Sequence, residues 1–219
     1  MLCLAVCDFE SIDLCGYVND PTNTIDWKRT QAGIDDSLPM ADVTYRSTHG
    51  HFMLLKGNST NVRLNGRLAT PSFPDTSGSC LRWYMILNNR ATLRIRTLAF
   101  GALNPNVVYD IQGDQGRDWK LAQTTIRVGS PYQVVFDGIL NSTNDILDAV
   151  AIDEVEMRSG VCDELGSCDF ETGLCGYQPI KADFDWKRTS YNVEVYSAPQ
   201  FDHTTNSRAG KDLSLIPKF

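Results

Sequence analysis

The 219-residue sequence lacks both a long apolar run and an excess of basic residues. No stretch approaches the roughly 18–20 apolar residues that cross a bilayer as a helix, so no transmembrane helix is predicted. The chain carries 20 Lys and Arg against 27 Asp and Glu, which gives a formal charge of −7. Because a nucleic-acid-binding surface needs a basic footprint, nucleic acid is not an expected partner.

Recognisable catalytic motifs are missing as well. The sequence contains no GxSxG, HExxH, P-loop or GxGxxG pattern, and no nucleophile has a base in a recognisable arrangement beside it. Three histidines are present, of which His49 and His51 have the spacing that puts two metal ligands on one face of a strand. No third ligand accompanies them, and a solvated strand face explains the pair equally well. We therefore predict that the chain is not an enzyme.

The seven cysteines contain no CxxC pair, which leaves zinc ribbons and thioredoxin-like redox motifs without support. Two N-glycosylation sequons of sequence NST begin at Asn58 and Asn141. Cysteines and sequons together favour an oxidising secretory compartment. The expected location is extracellular, or the ectodomain of a membrane protein, with Asn58 and Asn141 as candidate glycosylation sites.

A repeat with a period near 160 residues organises the chain. Four blocks of the first part return 159–161 residues later, and a fixed offset across several blocks indicates internal duplication. The repeated blocks are IDWKRT at 25–30 and FDWKRT at 184–189, Cys7–Tyr17 and Cys168–Tyr177, Asp42–Thr44 and Asp202–Thr204, and the apolar segments that follow Gly50 and Gly210.

The repeat predicts the domain boundaries. A complete unit runs from Cys7 to Cys162, residues 163–167 form a linker, and residues 168–219 form a truncated second unit. Residues 1–6 are expected to be an N-terminal remnant. Within it, Cys3 is either the last cysteine of a preceding unit or a free thiol in a frayed end, and the sequence leaves both interpretations open.

Alternation of apolar and polar residues predicts strands. In Ala91–Thr97 the apolar residues share one face, which is typical of a half-buried antiparallel strand. The nearly continuous apolar run Cys80–Asn88 predicts a central strand, joined to the other by a hairpin turn at residues 88–90. Further short strands are expected at Arg67–Phe73 and Tyr132–Leu140. No segment keeps a 3.6-residue period, so the predicted fold class is all-β, a β-sandwich or jelly roll.

One strand changes its phase. In Ala149–Met157 the apolar residues switch parity at Asp153 and Glu154, as they do at a β-bulge. Such a bulge either turns Asp153 toward a site or adjusts the register at a sheet edge.

The duplicated DWKRT block predicts a core residue in each unit. Because Trp27 and Trp186 occupy the same place in both copies, we expect buried indoles, with Lys28 and Arg29 outside. An exposed contact residue is the alternative. Core positions are also predicted for Trp83 and Trp119.

Taken together, these residues resemble a known family. CDFE, LCGY and DW at the start, an aromatic strand after Cys80, and AIDEVEM followed by Cys162 are similar to a MAM domain, named for meprins, a neuropilin-type antigen and mu-class receptor phosphatases. The resemblance covers nearly all of Cys7–Cys162 and implies an antiparallel jelly-roll sandwich. Two features depart from the pattern: Val43 stands where the family usually has His, and the second copy lacks its last two cysteines.

The resemblance also implies a disulfide pairing. It pairs Cys7 with Cys15, Cys80 with Cys162, and Cys168 with Cys175. Without the resemblance, the four cysteines of the complete unit would allow three different pairings. The first two bonds close loops of nine and 83 residues, for which chain entropy gives roughly 2.6 and 4.6 kcal/mol.

A cation site is a further implication of the resemblance. Some relatives hold calcium or sodium with acidic residues from motifs that correspond here to Asp8, Glu10, Asp42 and Asp153. Hard cations take about six to eight oxygens, and four carboxylates that meet would need such an ion. Alternatively, these acids cap turns, accept backbone hydrogen bonds or face water. No other cofactor is expected.

These observations predict a non-catalytic extracellular module for adhesion or protein interaction, from a protein with tandem MAM domains. Its expected partners are proteins, through homophilic or heterophilic contact, and any membrane association would come from segments outside this chain. One alternative is an accessory domain of a meprin-like metalloprotease or a receptor phosphatase whose catalytic domain lies outside this chain. A second, which rests on fold analogy alone, is a carbohydrate-binding jelly roll.

Overall fold

The chain forms two compact units, Met1–Cys162 and Asp163–Phe219. Some sequence-based predictions fall outside the residues that the structure describes: Asn58, Cys175, His203, residues 1–2 of the remnant and residues 165–167 of the linker. The computed structural model describes residues 3–34, 39–57, 62–142, 147–164, 168–171, 173–174, 177, 184–190, 201–202 and 204–217.

Strands and their connections make up the described part of the first unit, apart from a short 3-10 turn at Leu14–Gly16. Across the described residues, no helix has the length and apolarity to cross a membrane. The strands are β1 (Cys3–Cys7), β2 (Val18–Asn19), β3 (Lys28–Gln31), β4 (His51–Lys56), β5 (Val62–Ala69), β6 (Thr76–Leu87), β7 (Thr92–Ala99), β8 (Asn106–Gln112), β9 (Lys120–Val128), β10 (Tyr132–Ser142) and β11 (Ala149–Ser159).

Two antiparallel sheets pack face to face as a jelly-roll sandwich, which confirms the predicted fold class. One sheet has the order β3-β4-β11-β6-β9, with β1 also paired to β11, and the other has the order β2-β5-β10-β7-β8. Residues 3–6, which the sequence assigns to a remnant, form β1 together with Cys7. This segment therefore contributes a strand to the first unit.

The strand β11 lies at the centre of the six-stranded sheet. Its first half pairs with β4 and its second half with β1, while β6 runs along its other side. The register with β6 shifts between Asp153 and Glu156, and Glu154 has a φ of 48°. The predicted bulge at Asp153 and Glu154 is confirmed, and it lies where β11 changes partner.

The core lies between the two sheets and contains two of the predicted tryptophans. Trp27 and Trp83 are buried there. Trp119 is only partly buried, and it packs instead with Phe52 in a smaller cluster that is separate from this core. The prediction for Trp119 was wrong in this respect: its indole covers a secondary apolar cluster and donates a hydrogen bond to the carbonyl of Ala41.

The turn at residues 88–90 joins two sheets rather than two neighbouring strands. The amide of Ala91 donates to the carbonyl of Asn88 at 3.1 Å, so the tight turn itself is present. However, β6 belongs to the six-stranded sheet and β7 to the five-stranded sheet. The hairpin prediction was therefore wrong, because both sides of β6 are already paired, with β11 and with β9.

Two disulfides fasten the first unit. The bond Cys7–Cys15 joins Cα atoms 5.8 Å apart, and Cys80–Cys162 joins Cα atoms 4.7 Å apart. This is the pairing that the family resemblance implies. In the second unit Cys168 is also disulfide-bonded.

The second unit contains an antiparallel hairpin of β12 (Phe184–Ser190) and β13 (Lys211–Pro217). Trp186 on this hairpin is 50% exposed, whereas its counterpart Trp27 is 2% exposed. The prediction of a buried Trp186 was wrong for the described structure. Trp27 is buried because β5 and β10 of the opposite sheet lie against its indole, and no described strand does this for Trp186.

Two glycines make room for the first unit's indole. Trp27 Nε1 donates to the carbonyl of Gly66 at 2.9 Å. A Cβ on Gly66 would overlap Leu55 and lie 2.5 Å from the carbonyl oxygen of Ile25. On the neighbouring strand a Cβ on Gly138 would lie 3.1 Å from the Trp27 ring. The close approach of Trp27 to this sheet therefore requires residues without side chains.

We expect Gly66→Ala to lower the free energy of unfolding by about 1–3 kcal/mol, because the added methyl group overlaps Leu55 and the carbonyl oxygen of Ile25 and forces the backbone to shift. Gly129→Ala is the matched control, since a methyl group added there would have no other atom within 4 Å. Urea denaturation with the disulfides intact measures both. Equal midpoints for the two variants would contradict the packing described here.

Candidate functional site

A break in the six-stranded sheet collects several of the predicted acidic residues. On one side of β11, β4 begins at His51 and β1 ends at Cys7, and the bulged residues Asp153 and Glu154 lie between these two pairings. The loop segment that contains Asp42 closes on this position. We call it the sheet break and define it by Asp42, Val43, Thr44, Asp153 and Glu154.

Asp153 is the most deeply buried acid of the sheet break. Its carboxylate accepts hydrogen bonds from the amides of Val43 at 2.9 Å and Glu154 at 2.8 Å. Burial is the main cause that raises the pKa of Asp153, to about 8. The negative charges of Glu154 and Asp42 raise it further, whereas the two amide hydrogen bonds lower it. The bulge has thus turned Asp153 inward to hold the loop.

Asp42 organises its own loop. Its two carboxylate oxygens accept from the amides of Tyr45 at 2.6 Å and Ser47 at 2.9 Å. A Cβ on Gly50 would overlap this carboxylate, so glycine is required there. Beside it, Thr44 donates to Glu154 at 2.7 Å, which is a second tie between loop and bulge.

Glu10 and Asp8 serve a different segment. Glu10 accepts from the backbone amide of His51 at 2.8 Å and pairs with the His51 ring Nδ1 at 3.1 Å. Asp8 accepts from the amide of Glu10 at 3.1 Å. His49 precedes β4 and is exposed, so the two histidines do not share a strand face as the sequence suggested.

The acidic residues predicted to hold a cation do not meet as one site. Among the residues that the structure describes, no group of three or more His, Cys, Asp or Glu side chains could hold a metal ion. The carboxylates of Asp42 and Asp153 each accept two backbone amides, while Glu10 and Asp8 lie with His51. The arrangement fits the alternative, in which these acids accept hydrogen bonds within the fold.

Arg29 is a site residue that sequence reasoning placed wrongly. We expected it outside, but its side chain is half-buried and donates to the carbonyls of Phe9 at 2.7 Å and Glu10 at 2.6 Å. This pair of bonds, the arginine clasp, fixes the loop of the Cys7–Cys15 disulfide to β3. Recurrence of the arginine in both DWKRT blocks was the signal that could have revealed it.

The second unit repeats this arrangement. Arg188 donates to the carbonyls of Phe170 and Glu171, and Glu171 accepts from the amide of Lys211 at 2.9 Å. Asp202 repeats the loop of Asp42, because its carboxylate also accepts from the amides three and five residues further along the chain. The amides of Thr205 and Ser207 donate to the Asp202 carboxylate, and a Cβ on Gly210 would overlap this carboxylate, as one on Gly50 would overlap that of Asp42. The duplicated blocks thus encode hydrogen bonds of the fold.

Asp148 was missed by the sequence reasoning and joins three connections at one end of the sandwich. Its carboxylate accepts from the amides of Arg90 at 3.1 Å and Asn141 at 2.6 Å, and its carbonyl accepts from Gly57 at 2.9 Å. Asn141, a candidate glycosylation site, therefore lies at this end, with its side chain partly exposed. Glycosylation of Asn141 stays a prediction.

Comparison with known proteins identifies one family. The model described as MAM domain, meprin/A5/mu, matches residues 7–163 and 168–215. MAM domain-containing protein 2 of Mus musculus is 29% identical over 218 residues, covering 92% of this chain and 31% of the mouse protein. MAM domain-containing glycosylphosphatidylinositol anchor protein 1 of Homo sapiens is 24% identical over 168 residues, covering 71% of this chain and 17% of that protein. The chain spans less than a third of the length of either relative.

Among solved structures, a cleaved adhesin domain of Lys-gingipain from Porphyromonas gingivalis superposes with a TM-score of 0.51. It is 13% identical and covers 71% of this chain and 98% of that domain. At this identity the similarity concerns the fold alone.

The arginine clasp gives a testable stability prediction. Arg29→Lys keeps the positive charge but loses the planar fork that reaches two carbonyls, so one buried carbonyl would lose its donor. We expect the free energy of unfolding to fall by about 1–3 kcal/mol. Lys28→Gln at the exposed neighbouring position should change it by no more than about 0.5 kcal/mol. Urea denaturation with the disulfides intact measures the free energy of unfolding of both variants. Equal values for the two would show that the clasp does not stabilise the fold.

The raised pKa of Asp153 predicts a stability that depends on pH. The folded state retains a proton that the unfolded chain releases near pH 4, so the contribution of Asp153 to the free energy of unfolding should fall as pH rises from about 4 to about 8 and then level off. Asp153→Asn should flatten this decline, while the exposed Asp118→Asn should leave it unchanged. Thermal melting in chelator-containing buffers from about pH 4 to about pH 9 tests this, and an unchanged slope in Asp153→Asn would refute it.

Proposed function

Because the chain belongs to the MAM domain family, we propose that it is a non-catalytic extracellular module that binds other proteins. The observation that carries the proposal is the use of the repeated polar residues in both units. Arg29 and Arg188 hold backbone carbonyls, and Asp42 and Asp202 hold backbone amides. These charged side chains hold the backbone in place, whereas a catalytic site would need its charged side chains free to contact a substrate.

An extracellular setting is supported by the disulfides. Bonds such as Cys7–Cys15 and Cys80–Cys162 persist in oxidising compartments. One relative is named for a glycosylphosphatidylinositol anchor, which supports a cell-surface or secreted setting for proteins with this domain. We propose the same setting for this chain, with adhesion through protein contacts as its role.

The sandwich architecture supports binding through its outer surfaces. Its core is closed by apolar residues from both sheets, and what remains for a partner is the outward faces and the loops at the two ends. Homophilic contact with a second copy and heterophilic contact with another protein both use such surfaces.

A bead assay tests the proposed function. The chain is secreted from cultured cells, attached to fluorescent beads, and mixed either with like beads or with cells. Clustering of beads reports homophilic contact, and saturable attachment to cells reports heterophilic contact. We expect at least one of the two, and its loss after reduction and alkylation of the disulfides. Neither clustering nor saturable attachment above the reduced control would contradict the proposal.

A further inference from the structure

The outward face of the five-stranded sheet carries a group of arginines on a protein of negative net charge. Residues that alternate with core positions on β5, β7 and β10 point away from the opposite sheet. On β10, three of these outward residues, Val135, Asp137 and Ile139, are nevertheless buried. Arginines of the flanking strands lie opposite two of them: Arg67 and Arg94 opposite Asp137, and Arg96 opposite Val135. We call this feature the arginine cleft and define it by Arg63, Arg67, Arg94, Arg96 and Asp137.

Strand register places the arginines around one acid. Asp137 lies directly opposite Arg67 on β5 and Arg94 on β7. Arg96 Nη2 lies 2.7 Å from Asp137 Oδ2, and Arg67 Nε lies 3.8 Å from Oδ1. Asp137 is only 2% exposed, so it forms an acidic floor that holds the guanidinium groups in place.

Hydrogen-bond donors outnumber acceptors in the arginine cleft. Four guanidinium groups carry roughly twenty N–H donors. Three acids lie beside them: Asp137, Asp110, which pairs with Arg94 at 2.7 Å, and Asp20, which lies 3.7 Å from Arg67. These acids offer about four acceptor positions each. The Nε atoms of Arg67 and Arg96 are buried and have no hydrogen-bond acceptor among the described residues. These two atoms lie beneath the surface, so the donors within reach of an incoming carboxylate are the outer N–H groups of the guanidinium groups, whose side chains remain 37% (Arg67), 28% (Arg94) and 23% (Arg96) exposed.

An apolar groove continues from the arginine cleft along the same strands. Beyond the pair Val135–Arg96, the next outward pair is Gln133–Leu98, which lies about 13 Å from Asp137 at the usual strand rise. Both residues line a groove of about 480 Å³ that also includes Phe100 and Pro131. Phe100 is 86% exposed, so the groove presents an aromatic side chain to solvent.

We propose that the arginine cleft and this groove together bind a protein segment that carries carboxylates followed by a bulky apolar residue. The proposal rests on the proposed function, because it names the surface and the partner chemistry of a protein-binding module. Arg67 and Arg94, which both lie opposite Asp137, would pair with the carboxylates, and Phe100 with Leu98 would pack against the apolar side chain. The segment would lie extended along β7 and β10.

The charge distribution favours such a segment over a long sulfated polymer. The chain as a whole carries a charge of −7, so a polyanion extending past the cleft would meet repulsion. A short segment with two or three carboxylates contacts only the arginines, since exposed charges are screened beyond about 8 Å at physiological salt. The exposed Phe100 also gives an apolar residue of a protein segment a surface to cover, whereas the sulfate groups of a polymer would gain nothing from contact with it.

Three probes test the proposal on the full chain by fluorescence anisotropy. The first is a labelled peptide with two aspartates and, about four residues further on, a phenylalanine. The second has asparagines in place of the aspartates, and the third is a labelled sulfated oligosaccharide. We expect the acidic peptide to bind at least about tenfold more tightly than the amide peptide. Equal affinity of the two peptides, or binding of the oligosaccharide alone, would overturn the proposal.

Matched variants locate the binding. Arg94→Gln and Phe100→Ser should each lower the affinity for the acidic peptide by about tenfold. Arg127→Gln removes an exposed arginine from β9 in the other sheet, and Leu103→Ser removes a 96% exposed apolar residue that is not among the groove residues. Both controls should change the affinity less than twofold. Equal effects of variants and controls would also overturn the proposal, and thermal melting verifies that each variant is folded.

The bead assay separates this proposal from the proposed function. If Arg94→Gln and Phe100→Ser leave attachment and clustering unchanged, the module binds proteins through another surface and only the present proposal fails. If the unaltered chain shows neither clustering nor attachment, the proposed function itself fails, whatever the peptide affinities.

Discussion

The arginine clasp is the contact on which the local structure around the first disulfide depends. Phe9 has a φ of 55°, a region that L-residues rarely occupy, and its ring is fully buried in the core. Arg29 holds the carbonyls of Phe9 and Glu10, so it stabilises an unfavourable backbone conformation that in turn puts the ring inside. Glu10 is thereby positioned to accept from the first residue of β4, His51. One guanidinium thus links the disulfide loop, β3 and β4.

Burial of carboxylates is handled in two ways in this sandwich. At the sheet break, Asp42 and Asp153 are each held by backbone amides, which come from the fold itself. On the outer face, Asp137 is held by arginines, although burial outweighs them and raises its pKa. A buried acid with charged neighbours contributes little net stability. Its position among arginines is better explained as a way to fix their geometry, which a binding surface needs and a core does not.

Local signals in the sequence predicted some features of the fold and missed others. Strand alternation and the phase change at Asp153 are visible over a few residues, because side-chain parity depends only on neighbours. The turn at residues 88–90 was assigned to a hairpin, because a tight turn looks the same whether it joins paired strands or crosses between sheets. Trp186 was placed in a core, since the repeat shows the residue type and not the strands that cover it.

The missed site residues share a physical reason. The partners of Arg29 and Asp148 are backbone carbonyls and amides, and every residue other than proline offers both groups. A pattern of side-chain types therefore gives no sign of the pairing. For Arg29 the repeat supplied an indirect sign, because the same residue returned in FDWKRT, but Asp148 has no counterpart among the repeated blocks.

The side chains that hold the loops of this fold bind backbone atoms, and this leaves other parts of the surface free for binding a partner. A clasp that holds main-chain atoms needs one arginine and bonds to the carbonyls rather than the side chains of the residues it holds. The framework is thus set by few side chains, among them Arg29, which holds the loop of the Cys7–Cys15 disulfide, and Asp42, which holds the loop at the sheet break. Outward residues of β5, β7 and β10 pair partly among themselves, as Arg96 does with Asp137, and partly with nearby loops, as Arg67 does with Asp20. The sandwich can therefore carry different surface chemistry on that face without losing its fold, and in this chain the chemistry there is arginine beside an exposed aromatic ring.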